Sequence, residues 1–207
     1  MDVIPFIPLQ DISQKELIGL ADQLGQELWQ KLKLPVYFYG AAAKKPERKE
    51  LPNVRRGGFS RLKQEIDLPE RRPDIGHGLH PTAGAVAVGV RDILIAFNVN
   101  LDTRDVDIAR SIAKNIREKD GGLPGIRALG VELPSRGITQ VSINVTDHKK
   151  TSLKQVFTEV KKWAKEYQVG IVNSELVGLM PKLAFSPDLM AELKLTNFSI
   201  AKILENH

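Results

Sequence analysis

The chain has no cysteine in 207 residues, which excludes disulfide staples, thiolate zinc sites and cysteine nucleophiles. It also lacks a long hydrophobic run. An apolar or glycine stretch as long as any in the chain, Ala83 to Val90, is closed by Arg91-Asp92, far short of the about 20 residues that a membrane-spanning helix requires. Met1-Asp2 opens on an acid, where a secretory leader would be basic. A cytoplasmic location with no membrane partner is therefore expected. No Walker loop, dinucleotide fingerprint, nucleophile elbow or zinc-protease helix occurs. The one Gly-Xaa-Gly, Gly76-His77-Gly78, has no third glycine at the required spacing. At 42% hydrophobic and 27% charged residues, the composition is that of a globular chain with one large domain or two small ones.

The net charge of +5 is localised. Of 30 basic and 25 acidic side chains, ten and five fall between Lys44 and Arg72, leaving the rest balanced at 20 of each sign. This Pro- and Gly-punctuated connector reads either as a solvated linker or as a positive rim that attracts anionic ligands. A nucleic-acid partner is not expected, because Phe59 is the connector's lone aromatic and no recognition motif follows.

Along the chain, Val3 to Leu9 suggests a strand with irregular ends or an edge position, given Pro5 and Pro8. Ser13-Gln14-Lys15-Glu16 is a capping box with Ile12 and Leu17 at the staple positions. Leu17, Leu20, Ala21, Leu24 and Leu28 then repeat at helical spacing. Pro35 to Gly40 is a short aromatic strand. Two strands and a helix do not make a stable sheet unaided, so this first third reads as incomplete. Ala85–Val90 and Ile93–Asn100 suggest a hairpin across Arg91-Asp92. A helix capped by Asp102 or Thr103 is expected to run to about Lys119. A second strand pair spans Arg127–Leu133 and Ile138–Val145, followed by a helix from Leu153 to Tyr167 and a strand over Val169–Leu176. Ser186-Pro187 signals a further helix start. The resulting ββαββαβα order predicts an α+β fold of ferredoxin-like type: an antiparallel sheet with helices on one face, preceded by an incomplete second α+β subdomain.

Two regions could carry chemistry. Pro73 to Ala85 packs three glycines, two prolines and two of the four histidines into 13 residues before a strand. It reads either as a structural turn or as a cradle whose amides and imidazoles meet a flat polar heterocycle. His77 and His80 lack a third ligand nearby, so no metal site is expected. His148 reads as a solvated turn residue. Asn98 and Asn100 alternate on one strand, and Gln140, Ser142 and Asn144 on another. Period two places each set on one sheet face, giving either a shared polar floor or a solvated outer face.

The blocks Asp2 to Pro8, Pro35 to Gly40, Pro73 to Gly76, Leu94 to Leu101, Gln140 to Asn144 and Ser174 to Pro181 together resemble the glutamate formimidoyltransferase family, the transferase half of formimidoyltransferase-cyclodeaminases. The resemblance runs in the family's order along essentially the whole chain. It implies transfer of a formimino group from N-formimino-L-glutamate to N5 of tetrahydrofolate, a co-substrate, in histidine degradation. It also implies two α+β subdomains with the ligands in a groove between them: residues 1–72 would be a remnant of the first plus the basic connector, and 73–207 the second. The folate-contacting stretch maps to Gly76, His77, Gly78, Leu79, His80, Pro81, Thr82, Ala83 and Gly84, one residue shorter than in the family. Arg71, Arg72 and Arg91 flank it and are the candidates for carboxylate recognition. The family's catalytic histidine lies in a basic motif upstream of the Asp2–Pro8 strand, and no histidine here matches it. The expectation is a transferase needing an N-terminal segment, or a companion chain bearing that motif. The alternative is a non-catalytic folate-binding or partner subunit. A homo-oligomer is the expected assembly.

Overall fold

A computed structural model describes residues 1–9 and 11–207. The chain divides into two units, Met1–Asp92 and Ile93–His207.

In the first unit β1 (Asp2–Phe6), β2 (Val36–Gly40) and β3 (Val86–Val90) form a parallel sheet in the order β1-β3-β2. Helix α1 (Gln14–Leu32) starts at Ser13, whose hydroxyl accepts from the Glu16 amide while Glu16 reaches back to the Ser13 amide, so the expected capping box is present. Its apolar face buries Leu17 and Ala21 against Val36, Phe38, Val86, Val88 and Val90. Leu20, expected on that face, is 44% exposed, because the buried stripe follows Leu17, Ala21 and Gly25. The opposite sheet face, carrying Tyr37, Tyr39 and Ala87, is covered by Val54 of α2 (Leu51–Val54), Leu62 of α3 (Gly58–Glu65) and Ile66. The basic connector is thus a structural layer, not a solvated linker. Val54, Leu62 and Ile66 lie in a core, Arg48 and Arg71 are drawn into the packing, and most of the other bases stay exposed.

Two expectations change here. Ala85–Val90 and Ile93–Asn100 are not a hairpin, because β3 pairs with β1 and β2 and the next strand belongs to another sheet. The division between units accordingly falls after Asp92 and not after Arg72. All five residues of β3 are buried, the pattern of a central parallel strand covered on both faces. It supplies the strand that the first third was missing. The outer edge of β2 is closed by Ile75 O, Asp74 Oδ2 and Lys49 O, which accept from Val36, Phe38 and Gly40. On β1, Pro5 has no amide hydrogen and the Val3 amide is held by Asp2 Oδ1. A proline and a charged side chain are common devices for blunting an exposed edge.

Tyr37 yields a prediction for this layer. Its ring lies under the Arg48 guanidinium, 5.0 Å away, and its hydroxyl donates to Arg71 O at 2.7 Å. Burial pushes its pKa from 10.0 up to about 12, against the opposing charges of Arg48 and Arg71. Between those two values the unfolded chain has lost the phenolic proton and the folded one has kept it, so stability falls as pH rises through this window. The expected loss is about 2–3 kcal/mol. Denaturant midpoints at pH 9 and pH 12 should therefore diverge less in Tyr37→Phe than in the parent. Equal divergence would remove Tyr37 as the cause.

The second unit runs β4 (Ile95–Leu101), α4 (Val106–Ile116), β5 (Ile126–Leu133), β6 (Ile138–Val145), α5 (Leu153–Glu166) and β7 (Ile171–Val177), with strand order β5-β6-β4-β7 and every pairing antiparallel. It is therefore an α+β unit in which each helix joins two strands separated by a third, the split βαβ pattern. Both helices pack on one face, burying Phe97, Val99, Ile112, Ile116, Val156 and Val160 among others. Asp105, rather than Asp102 or Thr103, caps α4, accepting from the Asp107 amide. Thr103 supports that turn by accepting from the Asp105 amide. Ser152 and Gln155 form a second capping box at α5. The expected helix at Ser186-Pro187 reduces to a single turn, α6 (Leu189–Glu192). The chain then closes the outer edge of β7: Lys194 O accepts from Ser174, and the Asn197 amide brackets both backbone groups of Leu176.

Candidate functional site

The glycine-rich segment of the first unit is anchored at its start by a buried ion pair. Arg48 Nη1 lies 2.7 Å from Asp74 Oδ1, with both side chains about 5% exposed. Arg48 also donates to Arg72 O at 2.6 Å, and the other Asp74 oxygen receives the Phe38 amide at 2.7 Å. Ile75 follows in a bridge to Val36. At Gly76 the backbone enters the left-handed region (φ 83°) with the Trp29 ring directly beneath; a Cβ here would come within 2.4 Å of the indole. Only glycine fits both demands. His77 is exposed and meets Trp29 edge-on, centroids 5.1 Å apart. Gly78 also has positive φ, with open space where a side chain would project.

His80 closes the turn. Its backbone pairs with Gly84 in both directions, and its Nδ1 accepts from the Thr82 and Ala83 amides at 3.3 and 3.0 Å. An Nδ1 that accepts leaves the neutral ring's proton on Nε2. The imidazole is therefore part of the turn and presents a single N–H donor. Leu79 is partly buried against the Tyr37 side of the sheet, whereas Pro81, Thr82 and Ala83 are exposed. The segment is a built turn that keeps polar groups exposed.

The three flanking arginines differ. Arg71 is 11% exposed at its side chain and is engaged by Glu65 and Arg56 O, so it belongs to the connector's packing. Arg72 is exposed, its Nε donating to Asp67 O. Arg91 is half-buried beside Tyr39. The Tyr39 hydroxyl is buried without a well-formed hydrogen bond; burial raises its pKa and the nearby Arg91 charge moderates the rise.

In the second unit the register decides the polar pattern. Asn98 pairs with Ser142, Asn100 with Gln140, and Ala96 with Asn144, so both polar sets share the face opposite α4 and α5. They form the shared floor. Its inner end is a connected network: Gln140 Nε2 donates to Asn100 Oδ1 (2.8 Å), and Asn100 Nδ2 donates to Asn173 Oδ1 (2.6 Å) and Glu175 Oε1 (2.8 Å). Arg136 Nη1, from the β5–β6 turn, reaches the same Glu175 oxygen at 2.7 Å. Burial raises the Glu175 pKa, but Arg136 and Asn100 outweigh it and hold the carboxyl below its ordinary value. The Asn100 side chain, buried and bonded at both its oxygen and its nitrogen, ties this network together. Asn173, Glu175, Arg136, Asp74 and Trp29 were not singled out from sequence. The signal for the first two was available, since Asn173 and Glu175 alternate on their strand as the chosen residues do.

Residues 1–91 match the family model described as the formiminotransferase domain, N-terminal subdomain, and residues 96–192 match the formiminotransferase domain model. The glutamate formimidoyltransferase of Streptococcus pyogenes serotype M1 is 40% identical over 208 residues, covering 100% of this chain and 70% of that protein. That of Thermoplasma acidophilum is 39% identical over 206 residues, covering 99% and 68%. The mouse formimidoyltransferase-cyclodeaminase is 39% identical over 189 residues, which are 87% of this chain and 35% of that protein.

Proposed function

Because the chain belongs to the glutamate formimidoyltransferase family, we propose that it serves transfer of a formimino group from N-formimino-L-glutamate to tetrahydrofolate in histidine degradation. The observation that carries this reading is identity of 40% across the whole chain to a protein of that name. The chemistry is an exchange at an amidine carbon. The N5 amine of tetrahydrofolate adds to the formimino carbon, a tetrahedral intermediate forms, and the bond to the glutamate nitrogen breaks. The proton lost from N5 balances the one gained by the departing amine. General acid–base assistance of such transfers is typically worth about 10²–10⁴-fold, with positioning supplying much of the rest.

In this reading the Gly76–Gly84 turn holds folate through backbone amides and the His80 Nε2–H, and Arg91 receives a carboxylate. The proton shuttle is assigned to the family's upstream histidine motif, on a segment or companion chain outside these 207 residues. His80 is a poor substitute, because its Nδ1 is already occupied by two amides. A cytoplasmic location suits the substrates.

The test measures tetrahydrofolate binding and formimino transfer separately. The 207-residue chain is expected to bind tetrahydrofolate and to transfer slowly. His80→Ala, which removes the acceptor for two turn amides, should weaken folate binding about tenfold, equivalent to about 1.4 kcal/mol. Unchanged affinity would take the turn out of the folate site. Rapid transfer by the chain alone would overturn the assignment of the proton shuttle.

A further inference from the structure

We propose that Glu175 is the acceptor for the cationic amidine of the donor substrate, and so the residue that selects a formimino over a formyl group; this rests on the transferase reading above. The argument starts from the substrate. An N-substituted formamidine is a strong base, protonated near neutral pH to a planar amidinium with N–H donors and no acceptor lone pair on nitrogen. Planar N–H cations are recognised by carboxylates, as guanidinium groups are.

The floor of the second unit holds one carboxylate suited to this. Along its four strands, period two places Glu175 on the same face as Asn98, Asn100, Gln140 and Asn173. Among the described residues the strands bring no other acid to that face, since Glu132 pairs with the inward-facing Thr139. Both donors that bind Glu175, Asn100 Nδ2 and Arg136 Nη1, go to Oε1; no described residue donates to Oε2. The carboxylate is held in place at one oxygen and open at the other. Its side chain is 24% exposed, low enough to strengthen a charge-assisted bond and high enough to admit a ligand. Arg136 alone does not explain the arrangement, because a surface ion pair needs neither the buried Asn100 behind the carboxylate nor the Gln140 and Asn173 amides that fix Asn100. Those partners hold the acceptor at a fixed point, as binding groups require.

N-formyl-L-glutamate is the discriminating probe, because it replaces the amidinium with a neutral amide of nearly the same shape. The full chain is titrated with N-formimino-L-glutamate, N-formyl-L-glutamate and tetrahydrofolate. Wild type is expected to prefer the formimino compound. Glu175→Gln should lower its affinity for that compound at least tenfold while leaving formyl-glutamate and tetrahydrofolate affinities within twofold, so that the preference collapses. Arg136→Gln, which removes one brace from Oε1 but keeps the carboxylate and its Asn100 partner, should retain a formimino preference. Equal loss for both glutamate derivatives in Glu175→Gln, no loss for either, or complete loss of the preference in Arg136→Gln would overturn the proposal. If wild type bound neither tetrahydrofolate nor formiminoglutamate, the transferase reading itself would fall and this assignment with it. Wild-type binding without a Glu175 effect would overturn the assignment alone.

Discussion

Asp74→Ala is expected to destabilise the protein by about 3–5 kcal/mol, because it leaves the Arg48 guanidinium buried without its counter-charge. Arg48 and Asp74 are each about 5% exposed at their side chains, so water cannot readily replace the lost partner. The carboxylate also accepts the Phe38 amide on the outer edge of β2, and that donor would be orphaned as well. Thermal unfolding should move down by roughly 10 °C, given the few degrees per kcal/mol typical of chains of this size. The double variant Arg48→Met/Asp74→Asn removes both charges and retains similar volume, and it should be less damaged than Asp74→Ala. A loss below about 1 kcal/mol for Asp74→Ala would mean the pair is solvated. The pair matters for function because Asp74 is the fixed point from which the Gly76–Gly84 turn departs.

The second large effect is expected in ligand binding. Gly76→Val would place a β-branched side chain at φ 83° with its Cβ within 2.4 Å of the Trp29 ring. The backbone strain alone costs on the order of 1–3 kcal/mol, and the ring cannot yield without disturbing α1. The turn should therefore lift off Trp29, and tetrahydrofolate affinity should fall by about two orders of magnitude. Gly78→Ala, at a positive φ but in open space, should lose about tenfold or less. Titration of both variants, with melting curves to confirm the fold, separates steric displacement from conformational strain. Equal affinities in both variants and wild type would show that the turn's position is irrelevant to folate.

The legibility of this protein follows the range of the forces involved. The capping box at Ser13 and the strand pair across Pro134–Gly137 are readable because each is decided within a few residues. The floor was half-readable. Period two fixed which residues of β4 share a face, and likewise for β6, but only the register joins Asn98 to Ser142 and Asn100 to Gln140. The connector misled because charge density dominates its composition, while its packing depends on three spaced apolar residues, Val54, Leu62 and Ile66.

By itself the amino-acid order determined the α+β class, the principal helices, the cap at Ser13, and a family resemblance spread over ordered blocks. Tertiary structure alone decided that Val86–Val90 is the middle strand of the first sheet, since a run apolar on both faces carries no period to announce its partners. It alone decided that Arg48 meets Asp74 and that Glu175 is braced by Arg136 and Asn100. Those pairings join residues 26 to 75 positions apart. Their strength comes from shared removal from water, which depends on which groups the fold buries together and not on neighbours in the chain.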